Sequence, residues 1–192
     1  MDTNARYKLA GGLSFAMAVL GIPMVVLAVA LEFASHVGAI SALANRGVSD
    51  LLSMISYGIG IYLYATLRHL IETRYGSREL SKLLQAFIYL SVILAVCTAF
   101  GVLSEKIQLL VGLLSLLALV AFGIMSILFG LRLLRQNFEL SGMRKPYAYT
   151  GIAVGICYAS ILLLPVGMLI SVANEIIAAM IFFGAARPPE KA

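Results

Sequence analysis

Glu175 is the one formal charge in the 36-residue run 149–184, and an acid in such a setting needs a reason. An isolated carboxylate in hydrocarbon is costly, so it must be protonated, hydrated or paired. Asn174 stands beside it and adds an amide that both donates and accepts. Such a pair suits a proton relay, a cation site or a substrate contact. A protonated, hydrogen-bonded structural acid is the plainer alternative. A second polar set lies earlier in the chain. Ser53, Tyr57, Gly60, Tyr64 and Arg68 recur at i, i+4, i+7, i+11 and i+15, which places them on one helix face. That face must look at protein or water, because lipid cannot satisfy hydroxyls. The candidate transport residues are therefore Glu175, Asn174, Tyr57, Tyr64 and Arg68.

Other chemistry finds little support. His36 and His69 fall on opposite sides of the expected membrane, so they cannot share a haem or a metal ion. Cys97 and Cys157 sit inside apolar runs, with no C-x-x-C, and read as small packing residues. The sequence carries no G-x-x-x-x-G-K-[ST], no H-E-x-x-H and no G-x-S-x-G. Ser160 and Ser171 have no histidine within reach by spacing. The expectation is a non-enzymatic protein with no cofactor and no metal.

The elements that must position these residues are membrane helices. The chain is 61% apolar and 12% charged, against about 25% charged in soluble domains. Its charges cluster between long apolar runs. The net charge of +5 needs no nucleic acid, since twelve of the fourteen Lys and Arg can share one side of a bilayer. With 192 residues and no separate soluble stretch, the fold class is an all-α polytopic transmembrane bundle forming one domain. Its expected spans are 11–31, 51–70, 83–103, 107–131, 149–164 and 168–184.

The first span contains Pro23 and a face of small residues, Gly11, Ser14, Ala18 and Gly21. Ala28-Val29-Ala30 resembles a leader cleavage site, but the apolar run is longer than a leader needs. Residues 32–50 form the first loop, with a turn signal at Asn45-Arg46-Gly47 and an interfacial helix suggested by Val37, Ile40 and Leu43. Arg68 and Glu72 are spaced to pair, and Gly76-Ser77 breaks the chain. Ser104-Glu105-Lys106 is a short turn that makes spans three and four antiparallel neighbours. Beyond span four, Arg132, Arg135, Gln136 and Glu139 lie opposite Leu131, Leu134 and Phe138, as in an amphipathic helical extension. Tyr147 and Tyr149 stand where interface anchors belong.

The run 149–184 would measure about 54 Å as one helix, too long for hydrocarbon about 30 Å thick. Pro165-Val166-Gly167 offers the turn that makes it two spans. A single Pro-kinked fifth helix with the tail outside is the runner-up. Basic residues alternate between loops, which places the N-terminus, and with the hairpin the C-terminus, on the cytoplasmic side of a prokaryotic-type inner membrane.

Two small-residue strips could carry close helix contacts: Gly123, Ser126 and Gly130 on span four, and Gly151, Gly155 and Ala159 on span five. They fit either packing inside one bundle or a homo-oligomer interface. Two functional expectations follow. The first is a self-associating scaffold or accessory subunit of a membrane complex, with the lipid bilayer and copies of itself as partners. The alternative is a small transporter or channel with Glu175 as its proton, cation or substrate site. A cavity containing Glu175 would favour the second; a filled bundle with uncovered apolar surface would favour the first.

Overall fold

The long apolar runs become long helices, in which each backbone polar group is satisfied within its own segment. The computed structural model describes residues 3–36, 42–103 and 108–187, with side chains described outside 24–25, 28–29, 31–50 and 100–109. Among the described residues there are six α-helices and no strand. They are α1 (Thr3–His36), α2 (Ala42–Leu70), α3 (Arg78–Leu103), α4 (Gln108–Leu134), α5 (Arg144–Ser160) and α6 (Leu164–Ala185). A π-helical turn, Ile71–Tyr75, prolongs α2 and ends at Gly76, whose φ of 64° suits glycine. Three stretches are long and apolar enough to cross a membrane: Arg78–Ala99, Leu110–Leu134 and Leu164–Ala185.

Each helix packs on the next in sequence, and α6 closes against α1, so the six form a ring. Neighbours run antiparallel. Arg6 Nε donates to Thr66 Oγ1 at 3.3 Å, Thr150 Oγ1 donates to Asn174 Oδ1 at 2.9 Å, and Gly21 faces Val172. Every Lys and Arg whose side chain is described therefore lies at one end, at the start of α1, α3 or α5 or after the middle of α2, α4 or α6. That end is also where the core is densest. Tyr7, Leu70, Ile71, Leu80, Leu133, Leu140, Ile181 and Phe182 are each at most 1% exposed there. Arg74 ties the end together, donating to Ala185 O and lying 5.6 Å from the Tyr7 ring centre. The outer wall, by contrast, exposes Val92, Ile93, Val96, Leu113, Leu117 and Leu169. An apolar wall of this extent is suited to lipid.

The chain turns back in the last stretch, at a different place from the one its residue types suggest. The corner is Ser160–Leu163, not Pro165-Val166-Gly167. Ile161 adopts φ 58° and the Leu162 N–H bonds to Ser160 O, a tight γ-turn. Ser160 Oγ donates to Cys157 O at 3.0 Å and accepts from the Leu163 N–H at 3.4 Å, so a hydroxyl does what a glycine was expected to do. Pro165 sits in the first turn of α6, where its missing N–H has no intrahelical partner to lose. Gly167 is a contact residue: a Cβ there would lie 2.8 Å from both Cys157 Cβ and Tyr158 Cε1.

Other boundaries move as well. Asn45-Arg46-Gly47 lies within α2 and residues 32–36 within α1, so the first loop is shorter than expected. A single glycine costs a helix only about 1 kcal/mol, and a long helix absorbs it. Val37 and Ile40 lie outside the described residues, as does the turn Ser104-Glu105-Lys106. The amphipathic extension of α4 does not form. The helix stops at Leu134, Phe138 stacks on Tyr75 at 4.2 Å, and Leu140 is buried. Burying those two side chains against the ring outweighs one further helical turn on the headgroups.

Candidate functional site

A cavity of about 50 Å³ opens inside the ring where α1, α2, α5 and α6 meet. Ser14 comes from α1, Gly60, Leu63, Tyr64 and Leu67 from α2, Tyr147 from α5, and Asn174, Glu175, Ala178 and Phe182 from α6. This is room for a few water molecules. The site exists because the surrounding helices approach one another so closely. Gly11, Ser14 and Ala18 are buried on one face of α1, and a Cβ on Gly11 would lie 2.9 Å from the Phe183 ring. Small residues thus bring α1 against α6, and Ser14 Oγ comes with them to the carboxyl of Glu175.

The polar atoms divide into satisfied and unsatisfied groups. Asn174 is engaged by α5: Oδ1 accepts from Thr150, and the amide is within hydrogen-bonding reach of the Tyr147 hydroxyl. Glu175 keeps some exposure as a residue, yet its Oε2 is sealed from solvent and has no hydrogen-bond partner. Ser14 is 0% exposed, and its Oγ also lacks a partner of ordinary hydrogen-bond geometry despite facing the carboxyl. Tyr64, Tyr147 and Tyr158 lie close enough for their phenols to interact electrostatically with Glu175. On the far side the wall is aromatic. Tyr64 stacks on Phe87 at 5.0 Å, Phe87 meets Phe122 at 5.0 Å and Phe129 at 6.3 Å, and Phe129 meets Tyr147 edge-on at 6.3 Å.

Glu175 stands midway along α6, whose 22 residues measure about 33 Å. Its depth is thus about 16 Å from either end.

Of the five candidate polar residues, the ring brings Glu175, Asn174 and Tyr64 to one cavity. Tyr57, two turns away along α2, does not line it. Arg68 is held at the charged rim. Its guanidinium donates to Glu72 Oε1 at 3.1 Å and to Ser81 Oγ at 3.0 Å. The Ser81 hydroxyl donates to Glu72 Oε1 in turn, and this bond, with Arg68, holds the Glu72 carboxyl below the usual range. His69 is at the rim too, at the end of α2, while His36 ends α1 instead of lying in the first loop. Among the described residues no group of His, Cys, Asp and Glu is placed to hold a metal ion.

Two polar residues of the cavity, Tyr147 and Ser14, are not assigned to it by sequence alone. Tyr147, expected at the interface because Arg144-Lys145-Pro146 precedes it, is 9% exposed and lines the site. Tyr149, 61% exposed, is the outward one of the pair. Ser14 was read only as a small packing residue. Its i+4 spacing from Ala10, i−4 spacing from Ala18 and lone hydroxyl were the available signal.

The two small-residue strips meet each other in this chain. A Cβ on Gly123 would lie 2.6 Å from Gly155 O and from Ala159 N, and one on Gly130 would lie 2.7 Å from Ala148 O. Ser126 is half-buried on the same helix, and Gly151 has no neighbouring atom within 4 Å of a built Cβ.

Compared with protein-family models, curated proteins and solved structures, the chain matches none. Its site must be read from its own chemistry.

Proposed function

We propose that the protein is a six-span inner-membrane carrier of protons or small cations, with Glu175 as its binding group and both termini on the cytoplasmic side. One observation carries this reading: Glu175 Oε2 and Ser14 Oγ, both buried, line a single cavity, and neither makes a hydrogen bond of ordinary geometry although the Ser14 hydroxyl faces the carboxyl. A buried polar group left unsatisfied costs about 1–3 kcal/mol, and two such groups facing one cavity suit a site that a proton, water or cation completes. A structural acid would be expected to find its partners within the fold. The six-span topology is supported by the fold-back at Ser160–Leu163 and by the gathering of cations at one end. The scaffold class draws on the apolar outer wall, but lipid accounts for that wall without a second protein.

The test is flux. Wild type and Glu175→Gln are reconstituted into vesicles holding a pH-sensitive dye, and a cation gradient is imposed. The expected result is saturable, protein-dependent flux in wild type and background flux in Glu175→Gln, with equal incorporation and helicity. Equal flux in the two, or none in wild type, overturns the carrier reading and favours assembly.

A further inference from the structure

Resting on the reading that Glu175 binds a ligand, we infer that the ligand is an ammonium group: the ammonium ion itself or the protonated head of a small primary amine. Three features of the cavity point to it. The first is charge without a counter-ion. No Lys, Arg or His lines the cavity, and the arginines at the rim of α1 and α2 are engaged there. Arg68 bonds Glu72 and Ser81, Arg6 bonds Thr66 and Ala65 O, and Arg74 bonds Ala185 O. A cation entering the site would meet a carboxylate that no protein cation neutralises.

The second is the type of oxygen on offer. Hard metal cations take six or more oxygen ligands, or in transporters the free carbonyls of an unwound helix. Here α1, α2 and α6 run helical past the site. Pro23 frees the carbonyl of Val19, which lies five positions from Ser14, about a turn and a half along α1 and on a different face of it. Pro165 is in the first turn of α6, far from Glu175. The lining therefore offers few oxygens, all from side chains, and one of them, Asn174 Oδ1, already accepts from Thr150. An ammonium group needs fewer partners and brings its own N–H donors to Glu175 Oε2 and Ser14 Oγ, which make no hydrogen bond of ordinary geometry.

The third is the wall. Tyr64, Tyr147 and Phe182 line the cavity. Behind Tyr64 stand the rings of Phe87 and Phe122. Aromatic faces attract a weakly hydrated cation and provide little for a strongly hydrated one. The volume of about 50 Å³ admits a water-sized head and excludes a drug-sized ligand, which needs about 300 Å³ or more.

The chain has no Trp, so its emission comes from nine Tyr, of which Tyr64 and Tyr147 line the cavity, and the Glu175→Gln comparison isolates their response. Purified protein in nanodiscs at about pH 8, where amines are protonated, is titrated with ammonium chloride, methylammonium chloride and sodium chloride at constant ionic strength. The inference expects a saturable change with ammonium salts and none with sodium. Glu175→Gln should abolish it, Ser14→Ala should weaken it about tenfold, and Glu175→Asp, which keeps the charge, should retain the preference over sodium. A response to ammonium alone identifies the free ion; a response to methylammonium as well identifies the amine head. An equal response to sodium, or no response to any cation in folded wild type, overturns the inference. The two readings fail separately. Ammonium binding without flux removes the carrier and keeps the site, whereas Glu175-dependent proton flux without ammonium binding keeps the carrier and removes this ligand.

Discussion

Side chains one residue apart on α6 have opposite situations. Asn174 is bonded to α5, while Glu175 turns an unpaired oxygen to the cavity. The acid itself was legible, because a lone charge in an apolar run stands out. Its partners were not, because Ser14 and Tyr147 reach it through packing between helices distant in sequence. Tyr147→Phe should keep the fold, cost about 1 kcal/mol through the lost hydroxyl contact with Asn174, and slow cation flux. Thermal unfolding in detergent and vesicle flux measure the two effects. At the rim the pH logic is that of a lowered carboxyl. The contribution of Glu72 is present above its unfolded value and is lost as pH falls through its depressed folded value. Glu72 and Arg68 are well exposed, so the stabilisation is small. The shift itself is measurable: Ser81→Ala should raise the Glu72 value toward that of an ordinary carboxylate in a carboxyl carbon NMR titration. An unmoved value would show that Ser81 is not the principal cause.

Helices were easier to foresee than their ends. Six helices followed from hydropathy and loop charge, and among the described residues three of them are long and apolar enough to cross a membrane. The last corner did not follow, since proline and glycine are turn residues in general but here serve a helix start and a helix contact. The γ-turn at Ile161 is set by its two helices packing together, which no local pattern announces. Contact glycines make the sharper prediction. Gly155→Ala places a methyl 2.6 Å from Gly123 O and 2.9 Å from Ile127 N, both backbone atoms that cannot swing away. It should destabilise by about 1–3 kcal/mol or more. Gly151→Ala meets no atom within 4 Å and should be neutral or stabilising by up to about 1 kcal/mol. Thermal unfolding of the pair in one detergent separates close packing from helix propensity. Similar losses in both would argue against the α4–α5 contact.

For the whole molecule, sequence supplied the all-helical class and the charge asymmetry, while the closure of the ring came only with the structure. Neighbour order depends on which face each helix presents, and apolar side chains facing lipid and protein look alike in a sequence. The ring places the start of α1 and the end of α6 together, through Arg74 against Tyr7 and Ala185. Thr3→Cys and Arg187→Cys, with Cys97 and Cys157 replaced by Ala, should therefore label with an impermeant maleimide from the same side, the cytoplasmic one. Labelling from opposite sides would contradict the fold-back. The claim beneath all of this is that a reachable carboxyl sits at the depth of the hydrocarbon. A hydrophobic carbodiimide, added to membrane vesicles and followed by peptide mass spectrometry, tests it most directly. Glu175 should be modified ahead of the rim acids Glu72, Glu79 and Glu139. Modified rim acids beside an untouched Glu175 would contradict the account.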